Sequence, residues 1–351
     1  MAVIIGGETR KNSAIGEDEA YALAIMTDAP SLAAALAAQL PHAEGRIAPP
    51  RLAADGTVSV ILDVTGLDEM GRGILENDVR RVLGGIEGVR EVRVVQTAEK
   101  HERRLIAVGS GKGGVGKSTL SANLAIALKR LGLKAGLVDA DIYGPSQPRL
   151  MAAEGERPTA ESKQLNPIDT KWGVPMLSMG QLVGPDKALA WRGPMASGAL
   201  GQLVDARWGE TDTLVVDLPP GTGDVQLSMI QKHRPTGAVI VSTPQDLALI
   251  DATRAIDLFN TAGIPILGLV ENMAGYACPH CGEVSDPFGQ GGAEAAAERL
   301  GIPFLGRVPL DIAIRRASDA GEPPAAGDSE TAAPFLRIAE HLVEALNKRQ
   351  R

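Results

Sequence analysis

A glycine-rich stretch constrains this chain more than any other feature of its sequence. The apolar run at 105–108 is followed by Gly109-Ser-Gly-Lys-Gly-Gly-Val-Gly-Lys-Ser-Thr119, which contains the pattern G-x-x-x-x-G-K-S/T. In this pattern a short loop joins a strand to a helix, and its backbone N–H groups surround phosphate oxygens at the positive end of that helix. The sequence therefore predicts a nucleotide phosphate site at a junction between a strand and a helix.

The residues of this loop have separate expected roles. Lys117 is expected to reach the β- and γ-phosphates, and the Ser118 hydroxyl is expected to ligate Mg²⁺. The whole phosphate-binding segment consists of Gly111, Lys112, Gly113, Gly114, Val115, Gly116, Lys117, Ser118 and Thr119. A glycine-rich turn with a chance lysine is the competing interpretation, but a strand before the loop and a helix after it are both predicted.

Short apolar runs alternate with helical patterns from Leu105 onward, which predicts an α/β fold with a mostly parallel sheet flanked by helices. The predicted strands are 105–108, 135–138, 175–178, 213–216, 238–241, 266–270 and 304–305. The predicted helices are 119–131, 246–262, 293–300 and 333–346. The segments 151–172 and 180–200 are predicted to be loop-rich insertions.

The region before this fold has a different pattern. Residues 1–22 are polar and irregular, and residues 23–100 form a predicted small α+β domain with helices at 31–40 and 74–83 and strands at 57–64 and 89–95. A charged stretch at 98–104 separates this domain from residues 101–351, the predicted P-loop ATPase domain.

Composition limits the partners of the chain. Lys and Arg number 35 against 43 Asp and Glu, a net charge of −8, which gives no overall electrostatic preference for nucleic acid. Four Phe, three Tyr and three Trp are too few for a base-stacking surface. No apolar run approaches the roughly 18 residues of a membrane span, and the N-terminus lacks a signal-peptide pattern. We therefore expect a cytoplasmic protein that binds neither nucleic acid nor membrane.

Carboxylates stand at the ends of two predicted strands. Asp139 and Asp141 follow the strand after the phosphate-loop helix, and Asp217 ends the apolar run 213–216. Phosphoryl transfer needs carboxylates near the metal and the attacking water. We expect Asp217 to hold the Mg²⁺ shell and Asp139 or Asp141 to position water, although an aspartate at a strand end can also cap the next helix.

The two cysteines, Cys278 and Cys281, exclude a disulfide-rich scaffold, and one chain alone cannot supply four thiolates to a metal site. The pair fits a redox dithiol, half of a zinc site, half of an iron-sulfur site or two ordinary thiols. Gly275, Pro279 and Gly282 favour a turn that directs both sulfurs at one centre. No helix N-terminus of the kind that favours thioredoxin-type chemistry is predicted beside them.

The lysine before the paired glycines gives the loop a special form, Lys112-Gly-Gly-Val-Gly-Lys-Ser-Thr119. This form resembles the MinD, ParA and nitrogenase iron protein class of ATPases. The resemblance implies that Lys112 crosses a dimer interface to the partner's nucleotide, and that ATP promotes dimerisation.

Within that class the chain is similar to the Mrp/ApbC family of iron-sulfur cluster carriers. The likeness rests on Asp139-Ala-Asp-Ile-Tyr-Gly-Pro-Ser-Gln-Pro148, Trp191-Arg-Gly-Pro-Met195, Asp217-Leu-Pro-Pro-Gly-Thr-Gly-Asp224, Glu271-Asn-Met273, Cys278-Pro-His-Cys281 and Val308-Pro-Leu-Asp311. The resemblance implies ATP hydrolysis with Lys112, Lys117, Asp141 and Asp217 as catalytic residues. It also implies that the Asn272 amide reads the adenine edge, for which an amide is suited because it both donates and accepts.

The predicted small domain is more faintly similar to the N-terminal domain of these carriers, through Leu62-Asp-Val-Thr65, Gly88-Val-Arg-Glu-Val92 and Thr97-Ala-Glu-Lys100. That family domain usually has a cysteine after the threonine-bearing strand. The corresponding stretch here, Gly66-Leu-Asp-Glu-Met70, has none. The resemblance therefore does not carry a metal role over to this domain.

A two-fold dimer would bring four cysteine thiolates together, two from each chain. The family resemblance favours a 4Fe-4S cluster bridging two chains over zinc or a redox pair, and His280 lies between the thiols. The predicted function is an ATP-binding homodimer that hydrolyses ATP slowly and passes its cluster to apo-proteins.

The alternative function is that of a ParA/MinD-like positioning ATPase acting on DNA or membrane. It would require a basic face or an amphipathic C-terminal helix. The apolar positions in 335–351 fit a helix packed on the sheet better than a membrane-binding one.

Overall fold

The chain divides into two units, Met1–His101 and Glu102–Arg351, in a computed structural model. The structure describes residues 28–65, 67, 69–97, 103–161, 164–182 and 193–349. The predicted irregular segment 1–22 and the Trp191-Arg192 part of one family motif lie outside the described residues.

The first unit contains a three-stranded sheet with two helices. Its elements are Ala29–Gln39 (α1), Arg51–Leu52 (β1), Thr57–Asp63 (β2), Glu69–Gly84 (α2) and Glu91–Thr97 (β3), with a 3₁₀ turn at Pro41–Ala43. Strand β2 pairs antiparallel with β1 and parallel with β3. Alternate residues of β2 (Val58, Val60 and Leu62) are buried among residues of both helices, so the predicted half-buried strand is confirmed.

The second unit is built on a seven-stranded sheet. Its strands, in chain order, are Arg104–Ser110 (β4), Ala135–Asp139 (β5), Thr159–Glu161 (β6), Gln164–Asn166 (β7), Met176–Ser178 (β8), Thr213–Asp217 (β9), Gly237–Ser242 (β10), Ile266–Asn272 (β11), Tyr276–Ala277 (β12), Val284–Ser285 (β13) and Phe304–Val308 (β14). The sheet has the order β14-β11-β10-β4-β9-β5-β8, and every neighbouring pair in it is parallel. All seven predicted strands are present, which confirms the α/β fold class.

Helices cover both faces of this sheet. They are Lys117–Arg130 (α3), Gln147–Leu150 (α4), Met179–Leu182 (α5), Gly193–Val204 (α6), Asp224–His233 (α7), Asp246–Thr261 (α8), Gly292–Leu300 (α9), Ile312–Asp319 (α10) and Ala333–Arg349 (α11), with a 3₁₀ turn at Pro324–Ala326. In β4, Ala107 packs in the core beneath α8, whereas Ile106 and Val108 pack in the core beneath α3 and α11. Strands buried on both faces explain the continuous apolar runs in the sequence.

The prediction of a loop-rich insertion at 180–200 is partly wrong, because α6 begins at Gly193. Its sequence contains three glycines, which lower intrinsic helix propensity. However, Ala196, Leu200 and Leu203 share one helical face and are buried in the core, and this burial outweighs the propensity. Helices α7 and α10 are also present without having been predicted.

The C-terminal helix α11 packs on the sheet, as its apolar spacing predicted. Phe335, Ile338, Leu342 and Leu346 are buried in the same core as α3. Among the described residues, no helix has both the length and the apolar content needed to cross a membrane.

Candidate nucleotide and thiolate sites

The phosphate loop joins the central strand β4 to α3. Gly114 and Gly116 have φ angles of 78° and 83°, a left-handed conformation that glycine adopts without a steric cost. The loop surrounds a cavity of about 210 Å³ lined by Ser110, Lys112, Gly113, Gly114, Gly116, Lys117, Ser118, Thr119, Asp141 and Pro220. Backbone N–H groups of a glycine-rich loop around an open cavity suit the phosphates of a nucleotide. The structure thus brings most of the predicted phosphate-binding residues around one cavity.

The remaining two loop residues support its shape. Val115 is buried in the core. Gly111 lies so close to α8 that a Cβ atom there would be 2.1 Å from the backbone carbon of Asp251. Any larger residue at this position would therefore push the loop away from α8.

Lys117 and Asp217 form a buried ion pair. The Lys117 Nζ atom lies 2.6 Å from Asp217 Oδ1, and the two side chains are 6% and 0% exposed. Ser121 Oγ lies 2.9 Å from the same carboxylate oxygen, and Lys117 Nζ is 3.3 Å from Ser118 Oγ. Asp217 therefore contacts residues at the start of α3 and does not cap the following helix, whose N-cap is Gly223, and its role near Mg²⁺ stays a prediction.

The two other predicted carboxylates differ in accessibility. Asp141 lines the cavity, and its Oδ1 accepts hydrogen bonds from the backbone N–H groups of Tyr143 and Gly144. Asp139 is fully buried and accepts from the backbone N–H groups of Asp141 and Gln147 and from the Ser178 hydroxyl. Of the two, only Asp141 is placed where it could contact a bound phosphate or water.

Asp139 makes the stability of the protein dependent on pH. Burial, together with the nearby Asp217 carboxylate, raises the pKa of Asp139 from 3.8 to about 7. Between pH 3.8 and about 7, Asp139 is more often protonated in the folded protein than in the unfolded chain. The contribution of Asp139 to stability therefore falls as the pH rises, by at most about 1.4 kcal/mol per pH unit. The free energy of unfolding in urea should therefore be measured for the wild type and for Asp139→Asn from about pH 5 to about pH 8. As the pH rises, the wild type should lose stability relative to the variant. A difference in free energy of unfolding between the two proteins that does not change with pH would contradict the raised pKa of Asp139.

Asn272 contacts the phosphate loop directly. It ends β11, and its Nδ2 donates a 2.7 Å hydrogen bond to the Val115 carbonyl. A Cβ atom at Gly116 would lie 2.0 Å from the same nitrogen. The structure therefore places Asn272 beside the loop, and its contact with adenine stays a prediction.

Gly116→Ala should destabilise the protein more than Gly114→Ala. Both substitutions put alanine at a positive φ, which costs about 1 to 2 kcal/mol. A Cβ at Gly114 meets nothing within 4 Å, whereas one at Gly116 displaces the Asn272 amide and adds about 0.5 to 1.5 kcal/mol for the lost hydrogen bond. Urea unfolding of both variants measures the difference, and equal destabilisation would argue against the Asn272 contact.

A buried carboxylate fixes the end of β11 next to Asn272. Glu271 is fully buried, and its two oxygens accept hydrogen bonds from the Ala293 backbone N–H at 2.8 Å and from Arg307 Nε at 2.9 Å. Glu271 and Arg307 are register partners on β11 and β14. Glu271 had no predicted role in its motif, and the structure shows that its carboxylate connects β11 to β14 and to the start of α9.

The cysteine pair lies on a short hairpin formed by β12 and β13. The backbone N–H of Cys278 donates to the Glu283 carbonyl, and that of Gly282 donates to the Cys278 carbonyl. Cys278 is half-buried and Cys281 is exposed. Positive φ angles at Gly275 and Gly282, of 73° and 74°, allow the chain to turn on either side of the pair. The predicted turn between two glycines is therefore present.

The hairpin favours a thiolate at Cys278. Backbone N–H groups of Cys281 and His280, together with the Cys281 thiol, donate to the Cys278 sulfur and lower the pKa of that thiol. The thiolate is the form that binds metals. Within the described part of the chain, no three His, Cys, Asp or Glu residues form a group that could hold a metal ion, so a site completed by His280 and an acidic neighbour is not observed.

Comparisons with known proteins find a matching family model and several similar relatives. A family model described as ParA, NUBPL iron-transfer P-loop NTPase, matches residues 101–343. The chain is 47% identical over 273 residues to an iron-sulfur cluster carrier protein of Deinococcus radiodurans, covering 75% of this chain and 77% of the relative. It is 46% identical over 248 residues to the Arabidopsis thaliana mitochondrial iron-sulfur protein required for NADH dehydrogenase, covering 70% and 79%.

A solved structure with the same fold is also similar in sequence. The nucleotide-binding protein of Archaeoglobus fulgidus, solved in complex with ADP, is 40% identical, with a TM-score of 0.55. The match covers 62% of this chain and 86% of that protein.

Proposed function

Because the chain belongs to the ParA/NUBPL family of iron-transfer P-loop NTPases, we propose that it is an iron-sulfur cluster carrier that binds and slowly hydrolyses ATP. In this proposal two copies of the chain hold one cluster between them and pass it to apo-proteins. The observation that carries the proposal is a two-thiol hairpin in the same unit as a phosphate loop, with no further protein ligand beside the thiols among the described residues.

The residues around the phosphate cavity fit a magnesium nucleotide. Mg²⁺ is usually bound through one or two carboxylates, phosphate oxygens and water rather than by a complete protein cage. Ser118 and Asp141 line the cavity and Asp217 lies behind Lys117, so this oxygen-rich set suits Mg²⁺. Bound Mg²⁺ would neutralise phosphate charge, while Asp141 would orient the attacking water.

Lys117 changes partners in this proposal. Its ammonium now pairs with Asp217, and phosphates entering the cavity would attract it away. The positive charge of the metal would then compensate the buried Asp217 carboxylate. Binding of nucleotide without metal would leave that carboxylate uncompensated, so the proposal explains why ATP and Mg²⁺ should bind together.

A second copy of the chain would complete both sites. Lys112 lines the cavity of its own chain and in the proposed dimer contacts the partner's nucleotide. The exposed Cys281 and half-buried Cys278 can supply two thiolates, whereas a 4Fe-4S cluster takes four. A two-fold axis near the hairpin supplies the other two. The expected stoichiometry is one cluster for two chains.

The nucleotide and cluster sites are linked by a short connection. Asn272 contacts the phosphate loop and lies six positions before Cys278. Between them, Met273 has a φ of 60° and the Ala274 backbone N–H donates to the Val308 carbonyl. Movement of the loop on nucleotide binding can therefore change the position of the hairpin, and with it the affinity for the cluster.

Cluster-transfer assays test this coupling. Transfer to an apo-ferredoxin should proceed at different rates with and without Mg²⁺-ATP, and Lys117→Ala should show the nucleotide-free rate under both conditions. Equal wild-type rates with and without Mg²⁺-ATP, the same as those of Lys117→Ala, would contradict the coupling. We place this activity in the cytoplasm, where a reducing environment keeps thiols such as Cys278 and Cys281 free.

A further inference from the structure

A buried glutamine without a predicted role contacts three residues of the nucleotide site. Gln147 is the first residue of α4 and is fully buried. Its backbone N–H donates to Asp139 Oδ2 at 3.1 Å, and its side-chain Nε2 lies 2.9 Å from both the Ser118 carbonyl and Asp217 Oδ2. One residue therefore contacts β5, α3 and β9, the three elements that carry the candidate metal-binding and phosphate-binding groups.

The contacts fix the orientation of the Gln147 amide. The atom between the Ser118 carbonyl and the Asp217 carboxylate must be the nitrogen, because both neighbours are acceptors. An amide nitrogen carries two hydrogens, so it can satisfy both acceptors at once. The side chain is thus held in one orientation by the residues of the site.

These bonds complete the support of the Asp217 carboxylate. Its Oδ1 is held by Lys117 and Ser121, and its Oδ2 by Gln147. When Lys117 turns to a phosphate, the bond from Gln147 to Oδ2 can remain. Gln147 is therefore suited to keep the carboxylate in place while the lysine moves.

The amide oxygen of Gln147 has an unused capacity to accept a hydrogen bond. In the described part of the chain, Gln147 Oε1 is buried without a hydrogen-bond partner. Buried acceptors of this kind are normally satisfied by protein or by ordered water. Because the nitrogen is committed to Ser118 and Asp217, Oε1 can accept a hydrogen bond from an ordered water.

We infer that Gln147 is a positioning residue of the nucleotide site, which holds the Asp217 carboxylate in place for the Mg²⁺ shell. This inference rests on the proposed function, because it requires a magnesium nucleotide in the cavity. Hydrogen-bond partners of this kind commonly tune metal affinity without touching the metal.

The test measures how strongly Mg²⁺ tightens ADP binding, by calorimetry with and without Mg²⁺. Gln147→Met keeps the length of the side chain and the backbone bond to Asp139 but removes the amide. We expect unchanged ADP affinity without metal and a loss of about tenfold or more in the tightening by Mg²⁺. Electron paramagnetic resonance of Mn²⁺ with ADP should show a matching loss of Mn²⁺ affinity.

Asn123→Leu is the matched control for loss of a buried amide. Asn123 is buried on the same helix α3, and its amide donates to the Thr119 carbonyl and accepts from the Ala325 backbone N–H. This variant should melt at a lower temperature but keep the full tightening by Mg²⁺.

Two results would refute the inference and the proposed function separately. Wild-type tightening in Gln147→Met would refute the inference and leave the proposed function intact. If that variant does not fold, Gln147→Asn tests the same point, because its shorter amide cannot reach both Ser118 and Asp217. Absence of any Mg²⁺ effect in the wild type would refute the magnesium part of the proposed function, on which the inference rests.

Discussion

Lys117→Met is expected to abolish ATP turnover and to lower the free energy of unfolding by about 3 to 5 kcal/mol. The substitution removes the group expected to contact the phosphates. It also leaves Asp217, which is fully buried, without the cation that lies 2.6 Å from it. An uncompensated buried carboxylate is among the costliest single defects in a protein interior. Urea unfolding and a phosphate-release assay measure the two effects.

A double variant separates the two roles of the lysine. Lys117→Met combined with Asp217→Asn removes both charges, and Gln147 Nε2 can still donate to the oxygen of Asn at position 217. This variant should recover much of the lost stability but none of the turnover. Equal instability of the single and double variants would contradict the ion pair as the source of the cost.

Cys278→Ser and Cys281→Ser should each remove nearly all bound iron after anaerobic reconstitution with iron and sulfide, from about two iron atoms per chain in the wild type. Serine oxygen is a poor ligand for a centre that prefers soft thiolates. Because the hairpin is short and Cys281 is exposed, neither variant should change the melting temperature appreciably. Iron analysis and the visible absorbance of the cluster measure the loss.

His280 supplies the matched control for these variants. It lies between the two cysteines and is exposed. His280→Ala should retain the full iron content of the wild type. Unchanged iron in both cysteine variants would remove the basis for the thiolate site, and loss of iron in His280→Ala would assign the histidine a ligand role.

Strong local patterns allowed the sequence to predict the phosphate loop and the sheet. The loop combines glycines that need positive φ with a lysine and a hydroxyl in fixed positions, and buried parallel strands are continuous apolar runs. The hairpin of the cysteine pair was foreseen as a turn from Gly275 and Gly282, both of which adopt positive φ. In each of these cases the local structure is determined by residues that lie within about ten positions of one another in the sequence.

Contacts between distant parts of the chain were harder to foresee. The residue pattern left Asp139 and Asp141 as alternatives, and only the family resemblance favoured Asp141. The packing of β5 against β9 shows that Asp139 is buried. Gln147 carries no charge and belongs to no general motif, so nothing in its local sequence indicated that its amide would meet Asp217, 70 positions away. Helix α6 was missed because burial of one apolar face, rather than propensity, stabilises it.

The central claim is that one cluster is shared by two chains, and native mass spectrometry of the reconstituted wild-type protein tests it most directly. The account predicts that cluster-containing protein has the mass of two chains plus four iron and four sulfide, and that monomers carry no cluster. Monomers that each hold a complete cluster, or dimers that hold one cluster per chain, would contradict it.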